Sequence, residues 1–138
     1  MNPVFARSKT LTKCAKNAKQ VRQIKNLKKH YTHKKDLGQG AYGIVSLATR
    51  KGTDHEVAIK KINKKKVNQS KTLKRLTDSE INALRVTSHP HIMNCIEMLE
   101  DNENYFMVCE ILNGGQLYEY FKKKKNHIEE PMAKVIVR

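Results

Sequence analysis

Apolar and polar residues alternate over Ile44-Val-Ser-Leu-Ala-Thr, stop at Lys51-Gly-Thr-Asp, and alternate again over Glu56-Val-Ala-Ile-Lys-Lys-Ile. A period of two sends successive side chains to opposite faces of a strand, and a polar break containing Gly between two such runs predicts a turn. The stretch from Tyr31 to Lys61 is therefore expected to form antiparallel strands. The period changes over residues 70–87, where Leu73, Leu76, Ile81 and Leu84 recur at helical separations. Glu80 is four residues from both Leu76 and Leu84 and so shares their face. A carboxylate on an apolar stripe is costly to bury unless a cation lies close to it.

Ser88-His-Pro-His interrupts the helical pattern, and the apolar runs Ile92–Leu99 and Tyr105–Leu112 then flank a polar Glu100-Asp-Asn-Glu-Asn turn, predicting a second hairpin. Asn113-Gly-Gly breaks the chain again. Gln116–Lys122 is expected to form a short helix, and a last helix begins near Glu129-Glu-Pro, with acids and Pro in its first turn.

Upstream, Leu11, Cys14, Ala18, Val21, Ile24 and Leu27 are three or four residues apart. That spacing permits a basic amphipathic helix meeting an acidic surface or partner. Two of the six positions are small, and the favoured expectation for residues 1–30 is a solvated flexible tail. Charge supports a separate tail. The formal net charge is +15, and 11 of the 28 Lys and Arg lie in residues 1–35, which hold no acid. The remainder carries 17 basic against 13 acidic residues. Basicity confined to a tail without interleaved aromatics makes nucleic acid an unlikely partner. The Lys122–Lys125 run reads as a solvated surface connection.

The three Cys, at 14, 95 and 109, lack metal-ligand spacing and suggest a reducing, intracellular and cytoplasmic setting. The longest apolar run, Tyr105-Phe-Met-Val-Cys, ends at Glu110, far short of the roughly 20 residues of a membrane span. Basic residues from Arg7 onward are followed by no apolar core of a secretory signal.

Candidate chemistry begins at Leu37-Gly-Gln-Gly-Ala-Tyr-Gly-Ile-Val45, a G-x-G-x-x-G-x-V pattern. Glycines let backbone amides approach phosphate without interference from a Cβ. The motif is weak alone, but a strand follows it, whereas a dinucleotide fold would continue directly into a helix. Seventeen residues after Gly43, Val57-Ala-Ile-Lys60 ends an apolar strand in a lysine that can reach phosphate oxygens. Twenty residues further, Glu80 supplies the carboxylate that such an ammonium would offset.

The flap, the strand lysine, the helix glutamate, His-Pro-His and the Glu110–Gly115 segment resemble, in order and spacing, a eukaryotic Ser/Thr protein kinase domain over residues 31–138. Ser88-His-Pro-His-Ile and the Gly114-Gly-x-Leu-Tyr segment are similar to the calcium/calmodulin-dependent kinase group, including calcium-dependent protein kinases. The resemblance implies an α+β small lobe, a five-stranded antiparallel sheet with one major helix, over residues 31–112 including the hinge. Residues 113–138 would be the start of a large lobe.

The resemblance also implies that Gly38, Gly40 and Gly43, with Leu37 at the flap's edge, cover the phosphates of ATP. Lys60 would contact the α- and β-phosphates, and Glu80 would orient Lys60. Val45, Ala58 and Leu117 would sandwich adenine. The backbone of Glu110 and Leu112 would bind its edge, and Cys109 would border a back pocket. Leu84 would join an apolar stack, with Leu76 nearby. Gln116 stands where the family often has an acid that touches ribose or a basic substrate residue, which leaves basic-substrate preference unsupported.

H-R-D-x-x-x-x-N, D-F-G and an activation segment do not occur in these 138 residues, and Asp78 and Asp101 lie in the wrong context to replace them. The expectation is a kinase fragment whose complete enzyme uses ATP and Mg2+ on a protein substrate, with metal ligands elsewhere. The alternative is a non-catalytic kinase-like module that binds nucleotide or a partner kinase.

Overall fold

A computed structural model describes residues 19–40, 43–123 and 129–136. Its sheet has six strands: β1 (Val21–Gln23), β2 (Tyr31–Gln39), β3 (Gly43–Arg50), β4 (Glu56–Asn63), β5 (Cys95–Glu100) and β6 (Asn104–Glu110). They lie in the order β1-β5-β6-β4-β3-β2. All pairings are antiparallel except β1 with β5.

The sixth strand corrects the expectations of five strands and of a flexible tail, or an amphipathic helix, reaching to residue 30. Val21, Arg22 and Gln23 stand opposite Met98, Leu99 and Glu100. The Ile24 amide donates to the Glu100 carbonyl at 2.8 Å. Side-chain contacts accompany this pairing: Arg22 meets Glu97 at 2.9 Å and the Gln23 amide meets the Glu100 carboxylate at 2.6 Å. Extended backbone also sends Val21 to one face of the sheet, while Ile24 and Leu27 turn to the other. A helix would have kept all three on one stripe. The remainder of the expected tail, residues 1–18, lies outside the described residues.

The helices are α1 (Lys64–Asn68), α2 (Lys71–Val86), α3 (Leu117–Lys123) and α4 (Glu130–Ile136). Ser70 caps α2, its hydroxyl accepting from the Leu73 amide at 3.3 Å, and the Thr87 hydroxyl bonds the Ala83 carbonyl at 2.7 Å at the other end. The buried stripe of α2 runs through Thr77, Ile81 and partly buried Leu84. Leu76, expected to pack near this face, is instead 47% exposed. At about 100° per residue it is rotated one position away from the Thr77–Ile81 stripe. The short α1 was not anticipated, because its one buried apolar residue, Val67, is surrounded by Lys and Asn.

Each face of the sheet carries a core. The face toward α2 holds Ile62, Cys95, Met98, Met107 and Cys109 with Val67 and Ile81. The other holds Ala48, Val57, Ile59, Leu99, Phe106 and Val108, roofed by Ile24 and Tyr31. A strand buried on both faces reads as a continuous apolar run, which is why Tyr105–Cys109 shows no alternation. Burial of each large side chain here stabilises by about 1.5–3 kcal/mol. By contrast, Leu117, Tyr118, Met132 and Val135 on α3 and α4 are exposed.

Candidate functional site

Residues opposed across neighbouring strands share a face, as do rows two residues apart. Val45 stands opposite Lys60, and Lys60 opposite Met107. Two positions along, Leu47 stands opposite Ala58, Ala58 opposite Cys109, and Cys109 opposite Cys95. Val45, Ala58, Lys60 and Cys109 therefore lie on one face, the one α2 packs against. Glu80 is the residue before buried Ile81, at the edge of the α2 stripe, and reaches sideways toward β4. The Lys60 ammonium donates to Glu80 Oε1 at 2.6 Å. The side chains are 26% and 39% exposed, so the pair borders open space rather than the core.

The β2–β3 hairpin forms the flap. The Gly40 amide donates to the Gly43 carbonyl at 2.8 Å across its tip, while Ala41 and Tyr42 lie outside the described residues. The Asp36 carboxylate accepts from the Ser46 hydroxyl at 2.6 Å and pairs with His33 at 2.9 Å, which braces the hairpin and holds the carboxyl below its ordinary range. The three glycines are not equivalent. A Cβ on Gly43 would overlap the Lys61 carbonyl of β4, whereas one on Gly38 would meet nothing within 4 Å. Gly43 thus has a packing reason of its own, and Gly38 leaves room for a ligand. Leu37 is exposed beside them.

At the end of β6, the Glu110 amide donates to the Asn94 carbonyl at 3.0 Å, and the Asn94 amide donates to the Glu110 carboxylate at 2.6 Å. These bonds fix where the sheet stops and the next segment leaves. Leu112 and Leu117 follow, 63% and 46% exposed, with Gly115 between them at φ 78°, a left-handed conformation that favours glycine.

Sequence reasoning missed Cys95. It faces Cys109 and is 1% exposed. No sequence signal pointed to the pair, because Glu100 faces Tyr105 and a register shift between Cys95 and Glu97 is what brings Cys95 opposite Cys109. It also missed Lys19, whose ammonium bonds the Asn94 side chain at 2.9 Å and the Cys95 carbonyl. A cavity of ≈ 330 Å³ lined by Leu27, Tyr31, Ile59, Asn104 and Phe106 lies on the opposite face of the sheet, away from Lys60 and Glu80.

A Gly-rich hairpin, an antiparallel sheet and one long helix ion-paired to a central strand are parts of a protein kinase domain. Residues 31–138 match the family described as protein kinase domain, so the chain belongs to the protein kinase family. It is 38% identical over 102 residues to calcium-dependent protein kinase 4 of Plasmodium berghei, covering 74% of this chain and 19% of that one. With calcium-dependent protein kinase 5 of Plasmodium falciparum the identity is 37% over 100 residues, covering 72% and 17%. A probable myosin light chain kinase of Dictyostelium discoideum is 33% identical over 101 residues, covering 73% and 25%. These relatives agree with the resemblance to the calcium/calmodulin-dependent group. The chain spans about a fifth of the length of the two Plasmodium proteins.

Proposed function

We propose that this chain is the ATP-binding part of a Ser/Thr protein kinase, and that the complete enzyme transfers the γ-phosphate of ATP to protein Ser or Thr. The observation that carries the reading is the 2.6 Å Lys60–Glu80 pair on the face that also bears Val45, Ala58 and Cys109. An ammonium has three donors. Glu80 takes one and fixes the side chain, leaving the others for the α- and β-phosphates.

The open space at Gly38 suits a flap laid over phosphate, and the apolar surfaces of Val45, Ala58 and Leu117 suit the two faces of adenine. The Glu110 carbonyl and the Leu112 amide would bind the adenine edge. ATP would supply the phosphoryl group, while this chain binds and orients it. Among the described residues no three His, Cys, Asp or Glu side chains gather closely enough to hold an ion. Ligands for the magnesium that accompanies ATP would come from its phosphates and from one or two carboxylates of the complete enzyme.

The test is titration of a fluorescent ATP analogue. Lys60→Met is expected to weaken binding at least tenfold, about 1.4 kcal/mol. Binding unchanged in that variant would reject the assignment. A second reading is that the chain binds nucleotide or a partner kinase without transferring phosphate. Transcript sequence beyond codon 138 separates the two, because both motifs in frame would support the enzyme.

A further inference from the structure

We propose that Cys95 and Cys109 form a reversible disulfide that reshapes the back wall of the nucleotide cleft. The second half of this inference rests on the reading of Cys109 as part of that wall.

Cys95 and Cys109 are direct partners across β5 and β6. The adjoining positions, Asn94 and Glu110, are tied by a backbone hydrogen bond. Counted from that bond, the ladder makes the cysteines a non-hydrogen-bonded pair, the kind with Cα atoms about 4.5 Å apart and side chains closest, while the register shifts between Cys95 and Glu97 on their other side. A disulfide accepts Cα separations of about 4.4–6.8 Å. Both thiols are reduced in this structure. Neither has an assigned part in binding phosphate or in the Lys60–Glu80 pair.

The surroundings make the two sulfurs unequal. Hydrogen bonding from Cys109 draws the Cys95 thiol below its ordinary pKa, against the effect of burial, and the Lys19 charge acts in the same direction. The Cys109 thiol is pushed up, first by that same hydrogen bond and then by burial. Cys95 is thus the thiolate former and Cys109 the proton holder. Against this, the Cys95 Sγ–H can donate to the Glu97 carbonyl at 3.6 Å, a contact that favours the protonated thiol, and the Glu97 charge acts the same way.

With a hydroperoxide as oxidant, the chemistry balances in two steps. The Cys95 thiolate attacks one peroxide oxygen, forming Cys95–SOH and, for hydrogen peroxide, releasing one water after protonation. Cys109 sulfur then attacks the Cys95 sulfur, the S–O bond breaks, the thiol proton leaves with the hydroxyl as a second water, and the S–S bond forms. Two thiols have lost two electrons and two protons, and the peroxide has become two waters. The new bond draws Cys109 sulfur toward β5 and away from Ala58, its partner on β4. Both cysteines are almost fully buried, whereas Ala58, opposite Cys109 on β4, and Lys60 are partly exposed on the same face; that side is the proposed entry for the oxidant, where bound nucleotide would obstruct it.

The experiment treats the full chain carrying Cys14→Ser with hydrogen peroxide, denatures it, blocks remaining thiols with a maleimide, and maps peptides by mass spectrometry. The expected product is an intrachain Cys95–Cys109 peptide pair, lost on reduction with dithiothreitol and formed at least threefold more slowly with saturating ATP. Two thiols still open to maleimide, sulfinic acids without cross-linked peptide, or links only between two copies would each overturn the proposal. A second arm compares affinity for a fluorescent ATP analogue before oxidation, after it, and after reduction. At least a threefold loss that reduction restores is expected. Unchanged affinity of the cross-linked chain refutes the effect on the cleft. If the reduced chain binds no nucleotide, the assignment of the cleft fails, while the cross-link is judged by the peptides alone.

Discussion

Gly43 lies so close to the Lys61 carbonyl across the β3–β4 ladder that no Cβ fits between them. The backbone of a central strand cannot swing aside as a flexible side chain would. Gly43→Ala is therefore expected to destabilise the fold by about 1–3 kcal/mol, the usual range for overpacking. Gly38→Ala meets open space and should leave stability within about 0.5 kcal/mol of the parent while weakening binding of an ATP analogue. Thermal unfolding with nucleotide titration separates the two, and equal loss of stability at both glycines would reject the distinction.

The Lys60–Glu80 pair should matter more to binding than to folding. Its partners are 26% and 39% exposed, so solvent screening keeps the pair's contribution to stability at about 0–1 kcal/mol. Glu80→Gln is expected to shift the denaturation midpoint little and to reduce nucleotide affinity several-fold, since Lys60 loses the charge that orients it. A large drop in stability with affinity intact would reverse that assignment.

Stability should fall at both ends of the pH range because of one contact on β5. The Glu97 carboxyl is desolvated, which raises its pKa. Hydrogen bonds from Tyr31 and Arg22 nevertheless bring it below the ordinary value of 4.5. A folded-state pKa below the unfolded one gives stability that is present above about pH 4.5 and lost as pH falls through the folded value. Tyr31 has the opposite sign: burial, then the bond to Glu97, push its pKa above 10.0, so its contribution is present below that pH and lost as pH rises past it. Glu97→Gln should flatten the acid limb of a stability profile and Tyr31→Phe the alkaline one. Unfolding free energies measured across pH decide this.

Much of the fold was legible because local pattern and tertiary environment agree. Glu80 on an apolar stripe and Lys60 at the end of an apolar strand each needed the other, and their 2.6 Å contact is the outcome. Legibility fell where an element owes its state to a neighbour. Val21–Gln23 carries no strand pattern of its own and is extended because β5 offers Leu99, Glu97 and Glu100 to it. Leu76 is exposed and Thr77 buried because the buried stripe is set by where the sheet lies, not by which residue is more apolar. Cys95 was passed over because counting cysteines ignores register, which here departs from that of the hairpin turn by a shift between Cys95 and Glu97.

Cys109 is smaller than most members of its core cluster, among them Ile62, Ile81, Met98 and Met107. If it borders the adenine pocket, enlarging it fills space that a bulky ligand would enter but ATP would not. Cys109→Met is expected to weaken an adenine-site inhibitor carrying a large aryl group at least tenfold, and ATP less than threefold. Because the site is also packed, overpacking should cost about 1–3 kcal/mol of stability, and affinities are compared at a temperature where both proteins are folded. Equal weakening of inhibitor and ATP would count against the pocket.

Phosphoryl transfer needs more than a bound nucleotide. The flap and Lys60 act on one side of the triphosphate, but a base for the substrate hydroxyl and carboxylates for magnesium are required to place and neutralise the transferring group. None of the motifs that supply them occurs in these 138 residues. Apolar residues that would need covering, Leu112, Leu117, Met132 and Val135, are exposed in the segments after β6, and Val137 lies outside the described residues. The chain alone is therefore expected to bind ATP weakly, to transfer no phosphate, and to self-associate or fray at α4. The measurement is a radiolabelled-phosphate assay on purified 1–138 with generic protein substrates, run beside Lys60→Met to detect a contaminating kinase. Background incorporation equal in both proteins fits the expectation. Turnover that disappears only in the Lys60 variant would show that these residues are sufficient for catalysis, with base and metal ligands drawn from side chains to which no such role is given.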